Sequence, residues 1–361
     1  MQQAKRYTMK PLYSFRRYMK LVSASRQRTG RSRIEYLKDL PDIVANKYGI
    51  SEYYTIRLYE KVPDSYLRFK DYVALEKYLN PRHRGVVQFD KWHQYCFFKA
   101  NGVPTPEVYG FVVGRRGMFG TVPFDGDPAL FLERLAGLPL PIIVKPIGGG
   151  HGHNVDILDS VSAANGTLTF RQGGTVPVDR YLTTVANDPE GIILQALVTQ
   201  HPALGAFNST STNTVRVVTL LHPDGRIEFP SVLMKLARDG SIIDNMGAGS
   251  IVAPVDLATG RLQAGCTLRD TSLYPRHPDT DAEIEGFELP FWRECLEAAS
   301  HAHRCLTSAR CLGWDVAITA DGPSILEFNS HLAVHLYQKI SGLADGPLGE
   351  VLRNEMPKAK A

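Results

Sequence analysis

Residues 313–330 read GWDVAITADGPSILEFNS. Two apolar runs, 313–318 and 323–328, flank Ala320-Asp321-Gly322, a signal for a tight hairpin turn. The stretch is therefore expected to be two strands joined back to back. Side chains alternate along a strand, so Glu327 and Asn329, two apart, share a face. The hairpin can bring Asp315 opposite them. Two carboxylates and one amide oxygen make a hard oxygen site of the kind magnesium takes, completed by phosphates and water. The neighbours Val316, Ile318, Ile325, Leu326 and Phe328 are apolar, and carboxylates on such strands need a partner. An exposed polar hairpin is the competing reading.

Upstream, PIIVKPIGGGHGHNV at 141–155 sends an apolar strand to Lys145 and then into Gly148, Gly149, Gly150 and Gly152. Glycines let the backbone approach a ligand and turn N–H groups toward an anion. Lys145 adds a point charge for a phosphate. There is no G-K-[ST], so this is not a Walker A loop, and the third glycine is misplaced for G-x-G-x-x-G. A flexible hairpin turn would have the same composition.

Two further clusters carry chemistry. In STNTVRVVT at 211–219, Asn213 and Arg216 enter a strongly apolar strand. A guanidinium there needs an anion, either a phosphate or a carboxylate. In IILQALVTQHP at 192–202 a strand runs into a hinge-like segment whose backbone groups could pair with a purine edge.

Around these clusters the chain reads as ordered punctuation. A basic helix is expected over 9–29 and another helix over 66–79, stopped by Asn80-Pro81. Asp90 looks like the N-cap of a helix reaching Ala100. Helices also fit 127–136 and 290–307. Strands fit 107–113, 141–146, 191–195, 214–221 and 227–235. The tail over 331–355 reads as one or two short helices, before a frayed MPKAKA. Helices first, then strands interleaved with helices, then a hairpin, imply α+β or α/β architecture with a mixed, largely antiparallel core.

Composition limits the alternatives. The chain has 361 residues, 43% hydrophobic and 22% charged, with net charge +4. At roughly 150 residues per domain that is room for two or three domains. The five cysteines, Cys96, Cys266, Cys295, Cys305 and Cys311, show no paired framework, which suits a reducing, cytoplasmic setting. No run approaches the roughly 18 apolar residues of a membrane span. Asn208-Ser-Thr matches a glycosylation sequon, of little meaning without a secretion signal. Residues 1–38 carry eleven lysines and arginines against the single acid Glu35. Such a head could meet nucleic acid, membrane phosphates or an acidic partner, or be a solvated helical extension. No aromatic-plus-glycine RNA-binding signature supports nucleic acid.

Several histidines and one tryptophan have milder readings. His331 and His335 could share a helix face as a metal pair, but no further ligand is evident. His301 and His303, two apart on a helix, cannot face together. His151 and His153 lie in the glycine loop, and Trp92 reads as core.

The ordered set Lys91 … Lys145-Pro-x-x-Gly-Gly … Gln195 … Asn213-Thr-x-Arg216 … Asp244-Asn245 … Gly-Trp-Asp315 … Leu-Glu327-x-Asn329 resembles the ATP-grasp superfamily. It is most similar to the sugar-transfer-associated ATP-grasp family. The resemblance implies an ATP-grasp fold in which two α+β subdomains clasp ATP, here after a mainly helical N-terminal region. The expected boundaries are 1–85 for the basic helical region, 86–200 for the subdomain with the phosphate loop, and 201–361 for the subdomain with the magnesium site.

The same resemblance implies roles. Lys91 and Lys145 would contact the α- and β-phosphates. The loop Gly148, Gly149, Gly150 would close over the β- and γ-phosphates, and Gln195, Ala196 and Leu197 would hold adenine. Asp315, Glu327 and Asn329 would bind Mg2+. Arg216 and Lys235 would stabilise the transferring phosphate, with Asp244, Asn245 and Gly249 on the acceptor side. Many relatives have an acidic residue where this chain has Ala196; His201 is a substitute candidate for the ribose.

The implied activity is that of an ADP-forming ligase joining a small-molecule carboxylate to an amine or thiol through an acyl phosphate. Amino acid, peptide or sugar-linked substrates are all compatible. The enzyme's work would be positioning and charge neutralisation; no G-x-S-x-G or Cys/His nucleophile signature is present. A hydroxyl-phosphorylating kinase on the same scaffold and a non-catalytic nucleotide-binding module are the alternatives. Acceptor identity stays open, as does oligomeric state, a homo-oligomer included.

Overall fold

The computed structural model describes residues 32–55, 58, 62, 65–81, 86–148, 154–238, 240–241, 244, 249–267, 272–306, 308–330, 332, 338 and 342–356. The basic segment over 9–29, the loop residues Gly149, Gly150, His151 and His153, Asn245, and both His331 and His335 lie outside them. The chain divides into two compact units, one formed by Met1–Leu75, Leu268–Thr271 and Ala333–Ala361, the other by Glu76–Thr267 and Ser272–Leu332.

Helices come first, within the region expected to be mainly helical: α1 Arg33–Ala45, α2 Ile50–Thr55 and α3 Phe69–Leu79, the last matching the helix expected over 66–79. Ser32 and Glu35 close a capping box at the start of α1. Tyr36 and Ile43 of α1 pack with Tyr53, Tyr54 and Leu58 in a small aromatic core. The Gln338 side chain clamps Leu67 twice, accepting from its N–H at 2.6 Å and donating to its carbonyl at 2.8 Å.

The second unit begins with α4 Lys91–Ala100, and Asp90 caps it by accepting from the His93 N–H. Then follow β1 Val108–Val113, β2 Arg116–Phe119, β3 Val122–Phe124, α5 Pro128–Ala136, β4 Ile142–Pro146, β5 Asp156–Ser162, β6 Thr167–Phe170, β7 Gly174–Pro177, α6 Val178–Asn187 and β8 Ile192–Ala196. The eight strands form one sheet in the order β3-β2-β1-β8-β4-β5-β6-β7. Helices α5 and α6 cover one face, where Phe131, Leu135 and Val185 meet Ile142, Val144 and Leu194. The pairings Ile143 with Gln195 and Lys145 with Ile193 put Lys145 and Gln195 on the opposite face.

A second sheet contains β9 Thr214–Leu221, β10 Ile227–Leu236, β11 Ile251–Pro254, β12 Cys311–Thr319 and β13 Gly322–Asn329, with α7 Trp292–Cys305 packed on it and α8 Pro347–Asn354 near the end of the chain. Its order is β11-β10-β9-β12-β13. One face makes the core of the unit, with Val215, Val217, Met234, Trp314, Val316 and Phe328 against Phe98 and Ala299. Every strand pair among the described residues is antiparallel, in keeping with the mixed, largely antiparallel core that the sequence suggested. Short strands β2, β3, β5, β6, β7 and β11 were not expected, nor was helix α6, although it buries Val178, Leu182 and Val185 at helical spacing. No helix among the described residues is long and apolar enough to cross a membrane.

The hairpin β12–β13 turns through Ala320-Asp321, and Gly322 takes φ 123°, a conformation suited to glycine. Its register contains one irregularity. Asp315 faces Glu327 and Val316 faces Ile325, so Leu326 is the extra residue of a β-bulge. The bulge lets Ile325 enter the core while Glu327, two residues on, stands on the opposite face.

Candidate active site

The second sheet turns its polar face away from α7. Lys235 lies in register with Thr214, Arg216 with Asp315, and Asp315 with Glu327. Opposed residues of antiparallel strands share a face. A charged row therefore crosses four strands, Lys235–Arg216–Asp315–Glu327, with Asn329 beside its end. The sequence supplies each residue at the correct parity, but only the register joins them.

Arg216 grips Asp315 at two points, Nε to Oδ1 at 2.6 Å and Nη2 to Oδ2 at 2.9 Å. This is the fork geometry that makes arginine pairs strong. Gly313 leaves a lane for that side chain, because a Cβ there would lie 3.1 Å from Arg216 Cδ. Lys235 Nζ stands 3.2 Å from Asp315 Oδ1 and 3.4 Å from Asp244 Oδ1. Asp244 also accepts from the Thr214 backbone N–H at 2.9 Å and from its hydroxyl. Lys91, on α4, reaches Glu327 Oε2 at 3.8 Å and the Gly148 carbonyl at 3.4 Å. Asn329 Nδ2 donates to Glu327 Oε1 at 3.4 Å.

Titration follows this layout. Burial alone pushes the Asp315 carboxyl up, but the Arg216 and Lys235 cations more than reverse it and hold it down at about 2. Burial pushes the Asp244 carboxyl up, and the Asp315 charge adds to it against the pull of Lys235 and Thr214. Burial lowers the Lys145 ammonium to about 8, with Lys91 assisting and Glu327 and Asp315 opposing.

A cleft of about 290 Å³ is lined by Lys145, Gln195, Ala196 and Leu197 from the first sheet's side and by Thr214, Asp244 and Leu326 from the second. It also carries a run of hydroxyls, Ser209 to Thr212. Gly148 instead borders a neighbouring hollow with Trp92 and Phe111. A Cβ at Gly148 would fall 1.7 Å from Glu190 Oε2, so the carboxylate lies directly against this glycine. His201 is not brought into the cleft. Its Nδ1 accepts from the Ala203 N–H at 3.2 Å and its ring meets Phe291.

The oxygen donors suit a magnesium ion. Two carboxylates and an amide are gathered on one face. Arg216 and Lys235 occupy both lone pairs of Asp315 Oδ1 but only one of Oδ2. Among the described residues no group of three or more histidine, cysteine or acidic side chains could by itself hold a metal ion. Around the cleft Lys91, Lys145, Arg216 and Lys235 face Asp244, Asp315 and Glu327. The four cations can receive a polyanion, with which a divalent cation would enter.

Two supporting residues escaped the sequence reading. Gln94 of α4 donates to the Phe328 carbonyl at 3.1 Å and accepts from its N–H at 2.9 Å. It thereby pins the backbone between Glu327 and Asn329. Asn80 accepts from the Arg310 and Cys311 N–H groups and donates to the Cys311 carbonyl at 2.6 Å, anchoring the start of β12. A buried amide side chain without motif gives no signal in sequence. The sequon residue Asn208 is buried, and its Oδ1 accepts from the Thr210 and Ser211 N–H groups.

Residues 71–346 match the model of the sugar-transfer associated ATP-grasp family, well over half of the chain. No curated protein matches it. Among solved structures, an L-amino acid ligase from Bacillus licheniformis is similar at 13% identity and TM-score 0.39, with 70% of this chain and 44% of that one covered. An N5-carboxyaminoimidazole ribonucleotide synthetase from Thermotoga maritima is similar at 14% identity and TM-score 0.37, covering 70% and 44%. A D-alanine–D-alanine ligase from Bacillus anthracis is similar at 14% identity and TM-score 0.37, covering 70% and 59%. The chain spans about half the length of these structures.

Proposed function

This chain belongs to the sugar-transfer associated ATP-grasp family, and we propose on that footing that it is an ATP-dependent ligase. It joins a small-molecule carboxylate to an amine or thiol through an acyl phosphate, releasing ADP and phosphate. The observation that carries the reading is the charged row Lys235–Arg216–Asp315–Glu327 beside the cleft that holds Lys145.

ATP is the co-substrate. Its adenine lies against the end of β8, at Gln195, Ala196 and Leu197, and its phosphates lie toward Lys145 and Lys91. The chain from Gly148 through Gly149 and Gly150 covers them with backbone N–H groups. Asp315, Glu327 and Asn329 would hold magnesium, which would neutralise phosphate charge and polarise the P–O bonds. Arg216 and Lys235 face the oxygens that gain charge as the phosphoryl group passes to the substrate carboxylate. Asp244 and Asn245 border the acceptor. The amine then attacks the acyl carbon and phosphate leaves. The first sheet with its phosphate loop and the second sheet with its metal residues act as the two jaws of one nucleotide site.

The test is ADP release from MgATP over a panel of carboxylates and amines, with hydroxylamine as trap. Release that needs both partners, and a hydroxamate when hydroxylamine replaces the amine, supports the ligase. A stable phosphate ester instead identifies a kinase. ATP binding without turnover across the panel identifies a binding module. Glu327→Gln should raise the magnesium needed for half-maximal turnover on the order of 100-fold; an unchanged requirement would remove Glu327 from the metal site.

A further inference from the structure

The first sheet has a second row on the face that bears Lys145. Phe111 lies in register with Ile193, and Ile193 with Lys145, across β1, β8 and β4. Opposed residues share a face. With strands about 4.8 Å apart, the backbones of Phe111 and Lys145 stand roughly 10 Å from each other. Beside Phe111, at the start of α4, a hollow of about 470 Å³ opens. Its walls are the rings of Phe89, Trp92 and Phe111, over Ile147. The Trp92 and Phe111 ring centroids are 4.8 Å apart.

Both sides of the hollow are fastened to Ile147. The Lys91 N–H donates to the Ile147 carbonyl at 3.0 Å, and the Ile147 N–H donates to the Gly191 carbonyl at 3.3 Å. Asp188 Oδ1 accepts from the Glu190 N–H at 2.9 Å. Gly191 takes φ 64°, and a Cβ there would fall 2.5 Å from the Val112 carbonyl oxygen. Only glycine lets this turn sit so close to β1, and the turn presents Glu190 at the rim.

Carboxylates stand on both rims. Asp90 Oδ1 accepts from the His93 N–H at 2.9 Å, and its Oδ2 lies 3.0 Å from His93 Nδ1. The Glu190 side chain closes no hydrogen bond or ion pair among the described residues. Its Oε2 lies against Gly148. Lys91 does not line the hollow; its ammonium goes to Glu327 Oε2 and the Gly148 carbonyl. An anion here would meet two carboxylates, and a neutral apolar ligand would leave Glu190 unused.

We propose that this hollow binds an organic ammonium ion with an apolar body, its charge toward Glu190 and Asp90 and its body among the three rings. As the seat of the amine partner in ligation it rests on the ligase reading above; the binding itself does not. Aromatic faces attract a cation, and a concave apolar wall with few polar groups is the usual form of a small-molecule site. Gly148 borders the hollow and is joined through Lys91 to Glu327, so an amine held at Glu190 stands next to the charged row.

The experiment titrates the full chain with benzylamine, benzyl alcohol and benzoate at neutral pH and follows tryptophan fluorescence. Of the three tryptophans, Trp292 and Trp314 are buried, so Trp92 is the reporter. The expected result is a saturable change with benzylamine, an affinity about fivefold weaker for benzyl alcohol, and weaker again for benzoate. Glu190 is exposed, so Glu190→Gln should keep the wild-type thermal midpoint. It should lose about fivefold in benzylamine affinity and nothing in benzyl alcohol affinity, and added salt should narrow the difference. Trp92→Phe should abolish the signal. Equal affinity for amine and alcohol, undiminished benzylamine affinity in Glu190→Gln, or a signal that survives Trp92→Phe overturns the proposal. In ligation, Glu190→Gln should raise the amine KM about fivefold with the MgATP KM unchanged. Benzylamine binding by a chain that ligates nothing would remove the ligase reading and keep the site. Ligation whose amine KM ignores Glu190→Gln would keep the ligase reading and remove the amine from the hollow.

Discussion

Arg216 and Asp315 stand opposite each other on β9 and β12 and close a two-point ion pair, Nε to Oδ1 at 2.6 Å and Nη2 to Oδ2 at 2.9 Å. The pair is largely buried, with side-chain exposures of 12% and 8%. Removing one partner strands the other charge, which costs on the order of 3 kcal/mol. Arg216→Ala should lower stability by about that amount, less what Lys235 recovers at 3.2 Å. The double variant Arg216→Met/Asp315→Leu replaces both with apolar groups and should unfold at nearly the wild-type urea concentration. It should nonetheless show no ATP turnover. A double variant less stable than Arg216→Ala would contradict this account.

Acid should attack the same pair. The folded Asp315 carboxyl is held at about 2, below its ordinary value of about 3.8. A depressed carboxyl contributes stability above its unfolded value, and that contribution is lost as pH falls through the folded one. The contribution is about 2 kcal/mol, disappearing between about pH 4 and pH 2. Asp244, raised by burial, acts in the opposite sense and favours the folded chain on acidification. Urea unfolding across this window should therefore show a steeper loss in the wild-type chain than in Asp315→Asn. Parallel curves would mean that Asp315 does not titrate as the geometry requires.

Nucleotide binding should take up a proton. Burial lowers Lys145 to about 8, so near pH 8 about half of the ligand-free chains carry it neutral. A phosphate placed against it restores the charge. Calorimetry of MgATP binding in buffers of different ionisation enthalpy should reveal uptake of about half a proton at pH 8, declining toward zero about one unit lower. In Lys145→Met the uptake should vanish, with weaker binding. For stability the direction with pH is the same as for Asp315, because both values are lowered: the buried lysine penalises the folded state below about pH 8, and the penalty lifts as pH rises toward 10.5.

Gln94 is a positioning residue. Its amide closes two hydrogen bonds with the backbone of Phe328, whose neighbours are Glu327 and Asn329. Gln94→Leu should cost about 2 kcal/mol, because two buried backbone groups lose their partner. It should also raise the magnesium requirement of turnover several-fold while leaving the affinity for nucleotide in the absence of metal unchanged. Gln94→Glu retains the acceptor for the Phe328 N–H and should recover part of the stability. A loss of stability with no change in magnesium dependence would reduce Gln94 to a structural clamp.

Local physics made much of this protein legible. The Asp90 cap, the helix at 91–100, the apolar runs of β4, β8, β9 and β10, and the hairpin around Asp321 depend on periodicity and turn chemistry that neighbouring residues alone supply. The parity of Glu327 and Asn329 follows from the strand repeat, and the apolar setting of Arg216 already demanded an anion. Which anion it meets was decided by tertiary structure, because the register of β9 on β12 joins residues 99 positions apart. The bulge at Leu326 belongs to the same class: strand parity places Ile325 with Glu327, and only pairing with β12 sends one into the core and the other to the charged row. Clamps such as Gln94 and Asn80 draw their identity from long-range partners. A sequence window carries propensity and alternation; the choice of partner comes from burial and hydrogen-bond satisfaction across the whole fold, where the site residues acquire their charges and their contacts.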